Sequence, residues 1–116
     1  MNILTDLTAL LTDLKIPFEA GHFSGIPPDE YIVIIPLVDS FELTADNMPQ
    51  MDVQEARLAI YSKKNYYPLR NMLTKALLDL GFTITDRRYI GFEADTKFHH
   101  AAVDVAKSYE FESEVQ

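Results

Sequence analysis

The sequence predicts an α+β fold: an antiparallel sheet of four to five strands with two helices packed on one face. Three observations predict it. Residues 2–15 and 68–80 carry apolar side chains at three- and four-residue spacing, the period of a helix. Four other stretches are rich in Val, Ile, Tyr, Phe and Thr and read as strands. The links within the strand pairs are short, which makes antiparallel pairing the simplest topology.

Taken in order, the first helix places Ile3, Leu4, Leu7, Leu10, Leu11 and Leu14 on one face, and Pro17 ends it. Gly21, Gly25 and the Pro27-Pro28 pair make 18–30 largely a loop. Tyr31 to Leu37 follows as a strand whose unbroken apolar run suits burial on both faces, with Pro36 marking an end or a bulge. Val38 to Leu43 is an optional further short strand, and Ala45 to Pro49 a turn or extended loop. Val53 to Lys63 alternates as a half-buried strand. Pro68 opens the second helix, whose apolar face is Leu69, Met72, Leu73, Ala76, Leu77 and Leu80, with Gly81 placed for the C-terminal cap. Phe82 to Ile90 is a strand, and Gly91 to Thr96 connects it to a last one. That last strand sets Ala101, Val103, Val105, Tyr109 and Phe111 against Asp104, Ser108, Glu110 and Glu112. The order is thus α-β-(β)-β-α-β-β, one domain over 1–116, with 113–116 a frayed tail.

Composition narrows the function classes. A chain of 116 residues with 47% hydrophobic content can build a core without crosslinks. The absence of cysteine excludes disulfides, thiolate metal sites and Cys nucleophiles. No apolar run reaches the length of a membrane-spanning helix, and Asp6 falls where a signal peptide carries bases, so the expectation is synthesis in the cytoplasm and no membrane contact. Charge is uneven. Residues 1–56 hold ten acids and one base, Lys15, whereas residues 57–116 hold eight acids and nine bases, for a net −8. Such a chain repels phosphates, which argues against sequence-specific nucleic-acid binding.

No catalytic centre, cofactor site or metal site is legible. His99 and His100 are adjacent on a strand and point to opposite faces, and no ligand spacing joins them to His22 or Asp95. The four glycines lie far apart, so there is no phosphate loop, and there is no Gly-x-Ser-x-Gly elbow around Ser24. The carboxylates of Asp29-Glu30 and of Glu110, Glu112 and Glu114 read as solvated. Two basic-aromatic clusters, Lys63-Lys64-Asn65-Tyr66-Tyr67 and Arg87-Arg88-Tyr89, read as solvated strand ends rather than base-stacking platforms. The segment from Asp39 to Met51 differs, setting Phe41, Leu43, Met48 and Met51 among turn residues. Either a partner covers these side chains or they pack beneath the loop. Asp39, Phe41, Leu43, Asp46, Asn47, Met48 and Met51 are therefore the candidate contact residues.

The chain resembles the small tail-terminator and head–tail joining (tail-completion) proteins of long-tailed bacteriophages and prophages. A leucine-rich first helix, Lys15-Ile16-Pro17-Phe18 and Gly21-His22-Phe23 carry the resemblance, followed by Pro28-Asp29-Glu30-Tyr31-Ile32-Val33, Asp39-Ser40-Phe41 and Ala45-Asp46-Asn47. Arg57-Leu58-Ala59-Ile60-Tyr61-Ser62-Lys63-Lys64, a second helix and Phe98-His99-His100-Ala101-Ala102-Val103 complete it, over about residues 3 to 112. Met48-Pro49-Gln50-Met51 stands where that family carries a bulky aromatic stretch. The resemblance implies a virion tail or neck subunit, without enzymatic activity, that forms a homo-oligomeric ring on the tail tube. Its implied partners are itself, the tail tube protein and the head connector, with DNA passing through the ring. The competing expectation is a small adaptor that binds a protein through its sheet edge or the 39–51 segment.

Overall fold

The computed structural model describes residues 2–20, 25–43 and 49–110, with backbone only for 39–43 and 49–50. Helix α1 spans Ile3–Asp13 and begins where the Asn2 carboxamide accepts the Thr5 N–H at 2.8 Å. A second unpaired donor of the first turn, the Ile3 N–H, finds Gln54 Oε1 at 2.7 Å, which ties the helix start to the sheet. Ile3, Leu7, Leu10 and Leu11 form the buried stripe. The helix ends in a Schellman motif: Ile16 N–H reaches the Leu11 carbonyl and Lys15 N–H the Thr12 carbonyl, with Lys15 left-handed at φ 59°. Helix α2, Tyr67–Asp79, ends the same way, with Phe82 N–H on the Leu77 carbonyl and Gly81 at φ 87°. Glycine suits that position because it has no Cβ to clash. In both motifs the residue beyond the turn, Ile16 or Phe82, is buried in the same core as Leu11 and Leu77.

Five strands form one sheet in the order β1-β2-β3-β5-β4: β1 Phe18–Ala20, β2 Glu30–Leu43, β3 Pro49–Ser62, β4 Thr83–Glu93 and β5 Phe98–Glu110. β2/β3, β3/β5 and β4/β5 are antiparallel. The α+β class and both helices are as the sequence indicates, and both helices contribute to one core on one face. Four details differ. The expected loop of 18–30 contains β1, which pairs parallel to β2 through Phe18↔Ile32 to Ala20↔Ile34, so the sheet is mixed. Three residues are too few to show an alternation. Tyr31–Leu37 and Val38–Leu43 are one strand, because the chain absorbs Pro36 with a bulge between Pro36 and Val38 rather than ending there. The strand β3 starts at Pro49, ahead of the expected Val53, and β4 runs on through Gly91 to Glu93; positions 45–48 of the expected turn lie outside the described residues. Finally, Met72 and Leu80 are exposed; the buried stripe of α2 is Leu69, Leu73 and Leu77 alone.

The register sorts the sheet into two faces. Ile32, Ile60 and Ala101 form one row across β2, β3 and β5, and Ile34, Leu58 and Val103 the next, all under the helices. Tyr109 belongs to this face and donates its hydroxyl to Asp6 Oδ2 at 2.8 Å, joining β5 to α1. Burial, the Asp6 hydrogen bond and the Asp6 charge together push the Tyr109 pKa far up, so the phenol stays a donor at any working pH. Lys107 Nζ sits 3.6 Å from the same carboxylate and over the Phe82 ring. On the opposite face, Tyr31, Val33, Ala59 and Phe98 form a second, smaller cluster with Ile35 and Tyr61. Burial of the Tyr31–Ile34 run on both faces is thereby explained.

Candidate functional site

The expected contact residues separate into two groups. Asp39, Phe41 and Leu43 lie on β2 and Met51, half-buried, on β3, where Phe41 pairs with Asp52 and Leu43 with Pro49. These four therefore lie on the paired strands β2 and β3, with β5 still alongside β3 at Met51. Asp46, Asn47 and Met48 lie outside the described residues, as do His22, Ser24, Glu112 and Glu114. Beyond Met51 the sheet narrows to β2 and β3 alone. β1 pairs with β2 only up to Ile34, β4 leaves β5 at Ala106, and β5 accompanies β3 no further than Met51↔Glu110. The molecule is accordingly long, 53 × 27 × 24 Å.

At the other end of β3, the structure brings the first basic-aromatic cluster together with Tyr89 of the second. Lys64, Asn65, Tyr66 and Tyr67 from the β3–α2 connection, Tyr89 of β4 and His99 of β5 line a cleft of about 610 Å³. The β4–β5 register brings them there: Tyr89 sits opposite Ala101, and its hydroxyl lies 3.1 Å from His99 Nδ1. Tyr66 stacks on Tyr89 with centroids 5.7 Å apart and meets Tyr67 edge-on at 5.0 Å. The Arg70 guanidinium lies 4.4 Å from the Tyr67 centroid, a cation–π contact, and hydrogen-bonds Asn71. Sequence reading missed this site because each cluster alone is a weak signal. The remaining cue is the β3–α2–β4–β5 order, which returns β4 to the end of β3 that carries Lys63 to Tyr67.

The helix-free face holds a ladder. Tyr31, Tyr61 and His100 are direct cross-strand neighbours, and their rings stack at 5.0 Å (11°) and 4.3 Å (15°). Phe98 stands edge-on to both tyrosines, and Lys63 caps its ring at 5.1 Å. His99 and His100 do point to opposite faces. The His100 Nε2 atom is buried and has no hydrogen-bond partner among the described residues. Burial lowers the His100 pKa below the ordinary 6.5, with Glu93 opposing and the Arg57 charge adding to the fall. The unfolded chain then binds the proton more readily than the folded one. Stability is thus fully present above the ordinary value and declines as pH drops from 6.5 through the lowered value. Urea midpoints at pH 7.5 and 5.5 should show that decline, and His100→Phe should make it shallower. An equal pH dependence in both proteins would sink the assignment.

Beside the ladder, Arg57 of β3 and Asp104 of β5, again direct partners, form a two-pronged ion pair at 2.8 and 3.0 Å. Asp86 pairs with Arg88 on the neighbouring β4 at 2.6 Å. Among the described residues, no group of three or more His, Asp or Glu is placed to hold a metal ion, and no helix is long and apolar enough to cross a membrane. The chain matches no protein-family model and no curated protein. What the geometry offers is surface. Leu37 and Val38 on β2, and Tyr89, Ile90 and Phe92 on β4, are large apolar side chains left about half exposed at opposite sides of the sheet.

Proposed function

We propose that this chain is a structural subunit that assembles with copies of itself into a ring at the end of a phage tail tube, terminating the tail or joining it to the head connector. The observation that carries the assembling role is the pair of unlike apolar surfaces, Leu37–Val38 on one side of the sheet and Tyr89–Phe92 on the other. Two different sticky patches on one subunit suit a head-to-tail interface, which closes into a ring when the rotation per step allows. The resemblance to tail-terminator and head–tail joining proteins supplies the setting: tail tube and connector as partners, the virion neck as location, no catalysis and no cofactor. A net charge of −8 suits a ring through which DNA passes without adhering.

The test is to determine the solution mass of the purified chain and to image particles from the parent phage or prophage lacking its gene. A ring-sized mass and tails of overrun length support a terminator; a ring with normal tails that never join heads supports a joining role. Intact virions in normal yield without the gene would overturn the reading.

A further inference from the structure

Strand β4 closes the sheet on one side, and among the described residues nothing pairs with its outer edge. That edge is 11 residues long, has no proline, and carries Tyr89, Ile90 and Phe92 about half exposed. A long apolar edge with a free row of backbone donors and acceptors is a template for another strand unless something covers it. A bulge decides what fits there. The register between β4 and β5 slips between Tyr89 and Gly91, with Ile90 the extra residue. Tyr89 is paired with Ala101 and Phe92 with His99, two positions apart on β5, so both rings lie on the helix-bearing face. Arg88 is paired with Ala102 and Glu93 with Phe98, four positions apart, so both charges lie on the other face. In an unbulged strand, residues three or five apart point to opposite faces. Here each of the two sets shares one face.

We propose that β4 pairs antiparallel with β4 of a second copy of this chain, about a two-fold axis that passes between Ile90 and Gly91. Direct partners in an antiparallel pair must lie on one face, and this centre meets that condition. Tyr89 then meets Phe92 of the second copy and Arg88 meets Glu93 of the second copy, and the axis repeats both contacts. Ile90 stands opposite Gly91, which has no side chain to crowd it. Within one chain, Arg88 is held by Asp86 at 2.6 Å. Glu93 accepts the Thr96 hydroxyl at 2.9 Å and has no ion pair among the described residues. Pairing gives Glu93 a cation and sets the guanidinium between two carboxylates. Neighbouring registers are worse. A shift of one residue sets side chains of unlike faces against each other, and a shift of two toward the start of β4 sets Asp86 against Glu93. The pairing needs only β4 and does not rest on the ring reading. Because Tyr89 and Phe92 also belong to one of the two surfaces assigned to the ring, the two assemblies compete. The dimer is the form in which this edge stays covered until the ring grows.

Charge reversal reads the register directly. Arg88→Glu sets carboxylate against carboxylate at both ends of the pair, and Glu93→Arg sets guanidinium against guanidinium. Each variant alone should dimerise about tenfold or more weakly than wild type. Mixed in equal amounts, the two should form a complex of one chain of each, about as tight as the wild-type dimer, because both cross-strand contacts are then of opposite sign. A chain carrying both changes should regain the dimer, which misfolding cannot imitate. Position is read separately. The chain has no cysteine, so introduced ones report alone. A Tyr89→Cys chain mixed with a Phe92→Cys chain should crosslink under mild oxidation; either alone should not, since like positions then lie beyond disulfide reach. Analytical ultracentrifugation gives the masses. Single charge variants that dimerise like wild type, or a mixture that stays monomeric, overturn the pairing and leave the ring untouched. Crosslinking at like positions overturns the register. A wild-type chain that passes from monomer to ring with no two-chain species overturns the pairing alone, whereas a dimer together with intact virions lacking the gene overturns the ring alone.

Discussion

Leu58→Ala is expected to cost about 3 kcal/mol of folding stability, near the middle of the range for a buried Leu truncated to Ala. The side chain is fully buried at the centre of β3, flanked by Ile34 and Val103 in the row beneath the helices. Truncation there removes both the transfer free energy and the contacts of a tightly packed site, and neighbours anchored by ladders on two sides cannot collapse into the gap. For a domain of this size the melting temperature should fall by roughly 12 °C. Leu58→Met keeps most of the volume and should cost less than about 1.5 kcal/mol. If Leu58→Ala moved the urea midpoint no more than Leu58→Met, the packing described for this row would be wrong.

The second large effect lies on the other face. Asp104→Ala should destabilise by about 2 kcal/mol, below the usual cost of breaking a fully buried pair because the Arg57 side chain keeps 30% exposure against 12% for Asp104. The Asp104 hydrogen bonds, its leading influence, hold the Arg57 pKa above its already high ordinary value, with burial opposing. Without that carboxylate the guanidinium remains half-sunk with Asp86 as its nearest compensation. Replacing both members, Arg57→Met with Asp104→Leu, should return stability to within about 1 kcal/mol of wild type, since no charge is then stranded. Equal losses in the single and double variants would show that the residues matter for packing and not as a pair. An unchanged denaturant slope is the check that only the native state has been altered.

How far the fold was legible follows from which residues carry periodicity. Leu7, Leu10 and Leu11, or Leu69, Leu73 and Leu77, announce a helix face on their own, and Gly81 announces a stop. The alternation of Ala101, Val103 and Val105 announces a strand with one face inward. By contrast, β1 is hidden because Phe18-Glu19-Ala20 depends on β2 for its pairing, not on its own pattern. Pro36 misleads in the other direction: it signals a strand end, yet a bulge lets the ladder continue to Leu43. The candidate surfaces were half legible. Phe41, Leu43 and Met51 stood out as apolar residues in polar company, but the cleft was not readable, since Tyr66 and Tyr89 meet only once β3, α2, β4 and β5 are assembled.

The strand order β1-β2-β3-β5-β4 has a kinetic consequence. It lays two hairpins, β2–β3 and β4–β5, side by side, with α2 as the strap between them. Each hairpin closes from neighbours in the chain, whereas zipping β3 to β5 must first span α2 and β4. That seam carries the largest loop-closure entropy, so it sets the pace at which the chain reaches its native state. The Tyr61–His100 stack and the Arg57–Asp104 pair both straddle it. Such contacts act as late latches: weakening them hastens the opening of the two halves more than it slows their meeting.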